Sequence, residues 1–386
     1  MNDRIRCCHA VLGALVADAA SLGLHWLYDQ QRIRDVAAET PEFRNPTAAD
    51  YEGVPGFYAH AGKAAGQFSH YGEQALVMLR SLVSTGGQYD KTRYQDRFCA
   101  HFGYGGGYVG YIDHPTRETL DNIARTEYAA IKRAEAIPFE DHKITKQRII
   151  DTVLPCVKRG SAQLREQVEQ AVRQADDDDQ AVAFAAKVVD ELVCMTDHHG
   201  ANDVQLPAIS KLPALVAVYA GNDLLRNVTA SAVRVTNDNE VAVSYGHVAA
   251  RIMEAAIEGS DTQAAIMAGH NIADEDTKAL IDEVLELKDQ RTPEVTAEFG
   301  MSCNLEFGLA SVVHNLATQA SYTEAIRQNI YAGGDACGRA ILLGAVFGSV
   351  QGVGGEKGIP EVWIDKLAQK MEVMALLENL TGPLAR

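Results

Sequence analysis

The chain has 386 residues, 47% hydrophobic and 23% charged, an ordinary globular balance with enough apolar material for a large core. A net charge of −17 argues against a nucleic-acid groove or an anionic membrane surface as partner, while an anionic small molecule needs only a local positive pocket or helix N-termini. Seven scattered cysteines without a CxxC pair point to a reduced, cytoplasmic protein and not to a disulfide scaffold.

The N-terminal stretch MNDRIRCCHAVLGALVADAA is expected as a buried helix over 5–20. Asp18 interrupts its apolar run, no signal-peptidase site stands out, and no run of about 18 apolar residues predicts a membrane span. Apolar residues recur at helical spacing over 73–84, 117–136, 143–158, 161–174, 179–194, 206–220 and 223–234. The pattern continues over 240–258, 262–270, 274–288, 305–319, 322–331, 337–352 and 360–379. Strand-like alternation is rare, and Gly and Pro mark connections such as GVPG (53–56), YAGND (219–223) and YAGGD (331–335). The acidic run Asp176–Asp179 fits a helix start or a solvated loop. No repeat or linker divides the chain, so one all-α domain over 1–386 is expected. Small residues stripe two of its helices: Ala10, Gly13, Ala14 and Ala17 in the first, and Ala340, Gly344, Gly348 and Gly352 in a late one. Glycine costs roughly 1 kcal/mol in a helix interior, so the stripes predict a close approach of another backbone.

Four polar clusters stand out. Asp18, with His25 close behind, sits in an apolar helix, where a carboxylate needs a partner. Ser69, His70, Tyr71 and Glu73 stand at a helix start, where Ser69 also suits an N-cap. Asp197, His198, His199 and Asp203 share a polar loop that solvation alone would explain. Asp335, Cys337 and Arg339 open the glycine-striped helix; Asp335 suits an N-cap and Arg339 a pair with an acid. The Gly/Tyr-rich segment 101–120 reads equally as a cleft rim and as a surface loop before a helix start at Pro115–Thr116. On a rim, Tyr104, Tyr108 and Tyr111 would stack on a base, and Asp113 and His114 would line the cleft.

Three segments together resemble the ADP-ribosylglycohydrolase superfamily: GALVADAASLGLH (13–25), GQFSHYG (66–72) and GGDACGRAILLGAVFGSVQG (333–352). GIPEVW (358–363) is similar to the family's ending, and the late motif is the most specific of the four. The resemblance implies a multi-helix orthogonal bundle with a central cleft, two Mg²⁺ ions, and hydrolysis of a glycosidic bond of an ADP-ribosyl or other ribosyl substrate. Mapped onto this chain, Ser69 matches a Ser/Thr ligand, Asp335 an aspartate ligand and Asp18 the first-helix aspartate. His70 and Tyr71 stand where aspartates are expected, Gly72 where threonine is, and His25 where glutamate is. Cys337 and Gly338 replace an aspartate and a threonine of the late motif, and an altered late motif with Cys in place of Asp is similar to the J-crystallin-like subgroup.

Such a donor set suits Mg²⁺ poorly and a softer ion such as Zn²⁺ better, or no metal at all, with Ser69, His70, Asp335 and Cys337 as the candidate ligands. Three functions follow. In a hydrolase acting on a small-molecule or ADP-ribosylated substrate, Asp335 and Glu73 serve as acid and base. Asp18, His25, Tyr108, Asp113, Gly333, Gly334 and Arg339 contact substrate, and the helix starts at 69–73 and 335–339 face phosphate or ribose oxygens. In thiol chemistry, Cys337 is activated by its helix N-terminus and by His70, the alternative being a small, semi-buried structural cysteine. In a non-catalytic member, the fold serves as a ligand binder or as a crystallin-like structural protein.

Overall fold

This computed structural model describes residues 3–136 and 200–381. The expected helices at 143–158, 161–174 and 179–194, and the Asp197–His199 group, lie outside the described residues. Among the described residues the regular elements are all helical, and β-pairing is limited to isolated bridges such as Leu27 with Gly56 and Gln205 with Asn304.

Two helices form the centre. α1 (Asp3–Ser21) is buried without a break from Ala10 to Ser21. The other central helix, Ala336–Gln351, is buried from Ala336 to Ser349. Over these stretches neither has a wet face, so small residues take the place of an amphipathic pattern. The two run antiparallel in direct contact. A Cβ on Gly13 would stand 2.2 Å from the carbonyl oxygen of Gly344, and one on Gly348 the same 2.2 Å from that of His9. The glycine stripes therefore do what their spacing predicts. By length and composition Asp3–Leu24 is apolar enough to cross a membrane, against the sequence expectation, but in this fold it is mostly buried as a core helix.

The remaining helices wrap this pair. In chain order they include α2 (Gln30–Val36), α3 (His70–Ser84), α4 (Lys91–Phe102), α5 (His114–Ala136), α6 (Leu212–Tyr219), α7 (Leu225–Thr236), α8 (Glu240–Glu258), α9 (Leu305–Thr318) and α10 (Tyr322–Tyr331); the late central helix is α11. The expected 206–220 helix breaks at Lys211, and the expected 360–379 helix splits into Glu361–Ile364 and Lys370–Thr381. Among the described residues three α-helices were not expected: α2, α4 and Thr292–Phe299. The first buries only Ile33, so it has no apolar stripe to read. α4 is mostly polar, yet it buries Tyr94, Phe98 and Phe102 at i, i+4 and i+8, and Asp90 caps it by accepting from Arg93 N at 3.0 Å.

The antiparallel pairing sets the site. It brings the C-terminal end of α1 against the N-terminus of α11, and the N-terminus of α3 joins them there.

Candidate functional site

The buried carboxylate Asp18 faces the start of α3. Ser69 donates to it twice, from its backbone N–H at 2.9 Å and from its hydroxyl. The same hydroxyl caps α3 by accepting from Tyr71 N at 3.1 Å. Burial pushes the Asp18 carboxyl up to about 6, against the pull of the Ser69 hydrogen bonds. Gly72 explains itself here: a Cβ at that position would stand 2.2 Å from Asp18 Oδ2.

Asp335, fully buried at the start of α11, accepts from three groups. His25 Nε2 lies 2.9 Å from Oδ1, Gly338 N 2.9 Å from Oδ1, and the Tyr71 hydroxyl 2.6 Å from Oδ2. Burial alone would raise this carboxyl, but these donors hold it below the usual range. Burial also lowers His25, so the pair is a carboxylate and a neutral imidazole. The carboxylate can only accept, which puts the His25 proton on Nε2 and leaves Nδ1 with its lone pair. That lone pair faces His60 Nε2 at 2.6 Å. His60 is 2% exposed, and its Nδ1 has no hydrogen-bond partner. The sequence offered no signal for it: a lone histidine in an irregular loop has neither period nor motif.

His70, also fully buried, packs its ring 4.0 Å from that of Tyr71 and 6.0 Å from that of His25. Its Nε2 lies 3.1 Å from Asp113 Oδ2. Asp113 caps α5 by accepting from Thr116 N at 2.7 Å, so the helix does begin where the Pro115–Thr116 pattern puts it. Burial works to raise the Asp113 carboxyl, but His70 and Thr116 bring it below its ordinary value. Asp203 goes the other way, raised by burial. It sits 3.6 Å from His114 Nδ1, and Asp113 is within its electrostatic reach. Half-buried Tyr28, Tyr111 and Cys303 lie within electrostatic reach of Asp335. Trp26, Phe57 and Tyr111 form an aromatic wall with ring centroids 5.0–5.9 Å apart.

The remaining expected site residues fall elsewhere. Glu73 bonds His101 Nε2 at 2.9 Å. Tyr108 turns inward, donating its hydroxyl to Tyr111 O at 2.8 Å beneath Lys63, whereas Tyr104 is fully exposed.

Several expectations need correction. The Cys337 thiol is not activated: burial pushes it well above its usual value, aided by Asp18 and Asp335. The histidine nitrogens grouped with its sulfur are those of His25 and His60, while His70 Nε2 faces Asp113 Oδ2 at 3.1 Å. Arg339 offers no hand to an anion. It is fully buried and donates to Asn329 Oδ1 at 2.9 Å, to Met301 O at 3.4 Å and to the carbonyl of Gly333. Gly333 and Gly334, at φ +72° and +62°, shape the turn instead of greeting a ligand. Their N–H groups donate to Ile330 O and Leu27 O, and the N–H of Asp335 to Met301 O. At the start of α3 the N–H groups of Tyr71 and Glu73 are likewise spent on Ser69.

A pair of Mg²⁺ ions does not fit these residues. Mg²⁺ takes oxygen ligands in near-octahedral geometry. Here His70, Tyr71, Cys337 and Gly338 occupy expected ligand positions, and the oxygens of the retained Asp335 already serve three donors.

Comparison with known proteins agrees with the fold. The profile described as ADP-ribosylglycohydrolase matches residues 1–385. Crystallin J1A of Tripedalia cystophora is 25% identical over 375 residues, covering 96% of this chain and 95% of its own. Crystallin J1B of the same animal is 23% identical over 389 residues, covering 100% and 98%. A solved structure described as an ADP-ribosylglycohydrolase-related protein complex superposes with a TM-score of 0.54 at 17% identity, covering 99% of each chain.

Proposed function

The chain belongs to the ADP-ribosylglycohydrolase family, and from that premise we propose that it binds a ribosyl-type ligand without hydrolysing it through a Mg²⁺ pair. The observation that carries this is the saturation of Asp335 by His25, Tyr71 and Gly338 N, which leaves its oxygens committed to the protein. A ligand would meet the half-buried groups within reach of Asp335: Tyr28 and Tyr111, with the carboxylate of Asp203 as a further acceptor. The aromatic wall supplies π-faces for a base, and the Asp203 carboxylate accepts from a ribose hydroxyl.

The test pairs a thermal-shift titration with a turnover assay. A ligand at 100 times its Kd stabilises by about 2.7 kcal/mol, so ADP-ribose is expected to raise Tm by several degrees in EDTA. Mg²⁺ alone leaves Tm unchanged, and an ADP-ribosylated substrate shows no Mg²⁺-dependent release of ADP-ribose. Turnover that appears on adding Mg²⁺ and vanishes with EDTA sinks the proposal.

One observation favours a second reading, a metal-free hydrolase. Asp113 is held low and Asp203 is pushed up within reach of each other, the split expected of a base and an acid. Under it, turnover persists in EDTA and drops about 100-fold or more in Asp113→Asn or Asp203→Asn.

A further inference from the structure

We propose that His25, His60 and Cys337 form a site for a single Zn²⁺ ion. One ring nitrogen of each histidine and the sulfur of the cysteine all lie within 4.8 Å of one another, and all three residues are buried. Two imidazoles and a thiolate are the donors of a borderline-soft ion and not of Mg²⁺.

Two independent features point the same way. The first is the Asp335–His25 hydrogen bond at 2.9 Å. A carboxylate that takes the far N–H of a histidine fixes its tautomer and presents the other nitrogen as a ligand, as in zinc sites generally. The second is the short His25 Nδ1 to His60 Nε2 separation of 2.6 Å between two buried rings. Two ring nitrogens that close need either one proton between them or a cation. Ligand nitrogens of a tetrahedral zinc stand about 3.3 Å apart on bonds of about 2.05 Å, so the rings need part by less than about 1 Å.

The balance of protons and charge is favourable. The metal-free pair shares one proton, donated from His60 to His25. On binding, His60 carries that proton on the nitrogen turned away from the ion, and the Cys337 thiol loses its proton to solvent, one released per Zn²⁺ bound. The ion's two positive charges then meet the thiolate and the Asp335 carboxylate, leaving the buried group near neutral. Three protein ligands leave a fourth position open. The site is independent of what the cleft binds, so its failure leaves the ligand-binding proposal standing.

The experiment uses the full chain, equilibrated with Zn²⁺ and dialysed. One zinc per chain is expected, with X-ray absorption showing two nitrogen neighbours at about 2.0–2.1 Å and one sulfur at about 2.3 Å. Co²⁺ in its place gives a thiolate-to-cobalt charge-transfer band that survives Cys303→Ser and is lost in Cys337→Ser. Zn²⁺ affinity falls at least 100-fold in His60→Ala and 10–100-fold in Asp335→Asn. No retained zinc, an all-oxygen coordination shell, or equal affinity in folded His60→Ala and Cys337→Ser overturns the proposal. If a variant does not fold, the absorption spectrum of the unmodified chain decides between these outcomes.

Discussion

Replacing Gly344 with alanine tests the central packing most directly. The new Cβ would lie 2.4 Å from the Gly13 carbonyl oxygen and 2.6 Å from Ala17 Cβ. Ordinary contacts start near 3.4 Å, so α1 and α11 must part by about 1 Å. Neither obstacle is the free end of a flexible side chain. The Gly13 carbonyl also accepts the Tyr322 hydroxyl at 2.6 Å, a buried bond that the shift would stretch. Overpacking costs about 1–3 kcal/mol, and a rigid backbone obstacle belongs at the top of that range. Alanine returns roughly 1 kcal/mol of helix propensity, leaving a net loss of about 2 kcal/mol. That corresponds to a Tm lowered by a few degrees. Thermal unfolding followed by circular dichroism reads it. Gly308→Ala is the control, since its nearest neighbour is Leu206 Cδ2 at 2.6 Å, a side-chain end that can turn away. A Gly344→Ala chain as stable as the unmodified one, or more so, would refute the backbone-contact argument.

Other consequences can be checked in parallel. Tyr71→Phe removes one donor from the buried Asp335 carboxylate and is expected to cost about 1.5–3 kcal/mol in denaturant unfolding. Arg339→Lys cannot replace a planar fork that ties Asn329, Met301 and Gly333, so its melting temperature should fall far below that of a surface Arg→Lys change. Asp18 is raised from 3.8 to about 6 by burial, so its folded form prefers the proton. The stability it contributes is fully present below about pH 4 and is lost as pH rises through about 6, by roughly 3 kcal/mol. Tm measured against pH should show this decline, and Asp18→Asn should flatten it. Under native iodoacetamide labelling, Cys337 should react more slowly than the half-buried Cys8, Cys99 and Cys303; equal rates would restore thiol chemistry.

The fold was legible where the sequence carries a physical constraint on the backbone. Glycines four apart in a helix are costly without a close neighbour, so Gly344 and Gly348 announced a central, tightly packed α11. Ser69 and Asp335 announced helix starts because a cap needs a short polar side chain there. What stayed hidden depends on the third dimension. A cysteine at a helix N-terminus reads as activated until its burial beside Asp18 and Asp335 is known. Arg339 reads as an anion hook until its donors are seen to end on carbonyls. His60 could be reached only by folding the chain, since what gives it meaning is its distance to His25.

The altered floor also follows a logic of its own. Carboxylates gathered in a buried space repel one another unless cations sit between them. Removing the ions while keeping the acids would leave uncompensated buried charge, which is strongly destabilising. This chain instead places donors where the motif resemblance leads one to expect acceptors. Tyr71 stands at an aspartate position and gives Asp335 a hydroxyl; His25 stands at a glutamate position and gives it an N–H. Gly72, in place of threonine, leaves room for Asp18 to take both hydrogen bonds from Ser69. Each substitution makes sense only with the others in place. Restoring one acid alone, as in Tyr71→Asp, should therefore destabilise the fold by setting a second carboxylate against Asp335 without bringing back Mg²⁺ binding; a Mg²⁺-dependent rise in Tm in that single variant would show that the floor still has room for the ion.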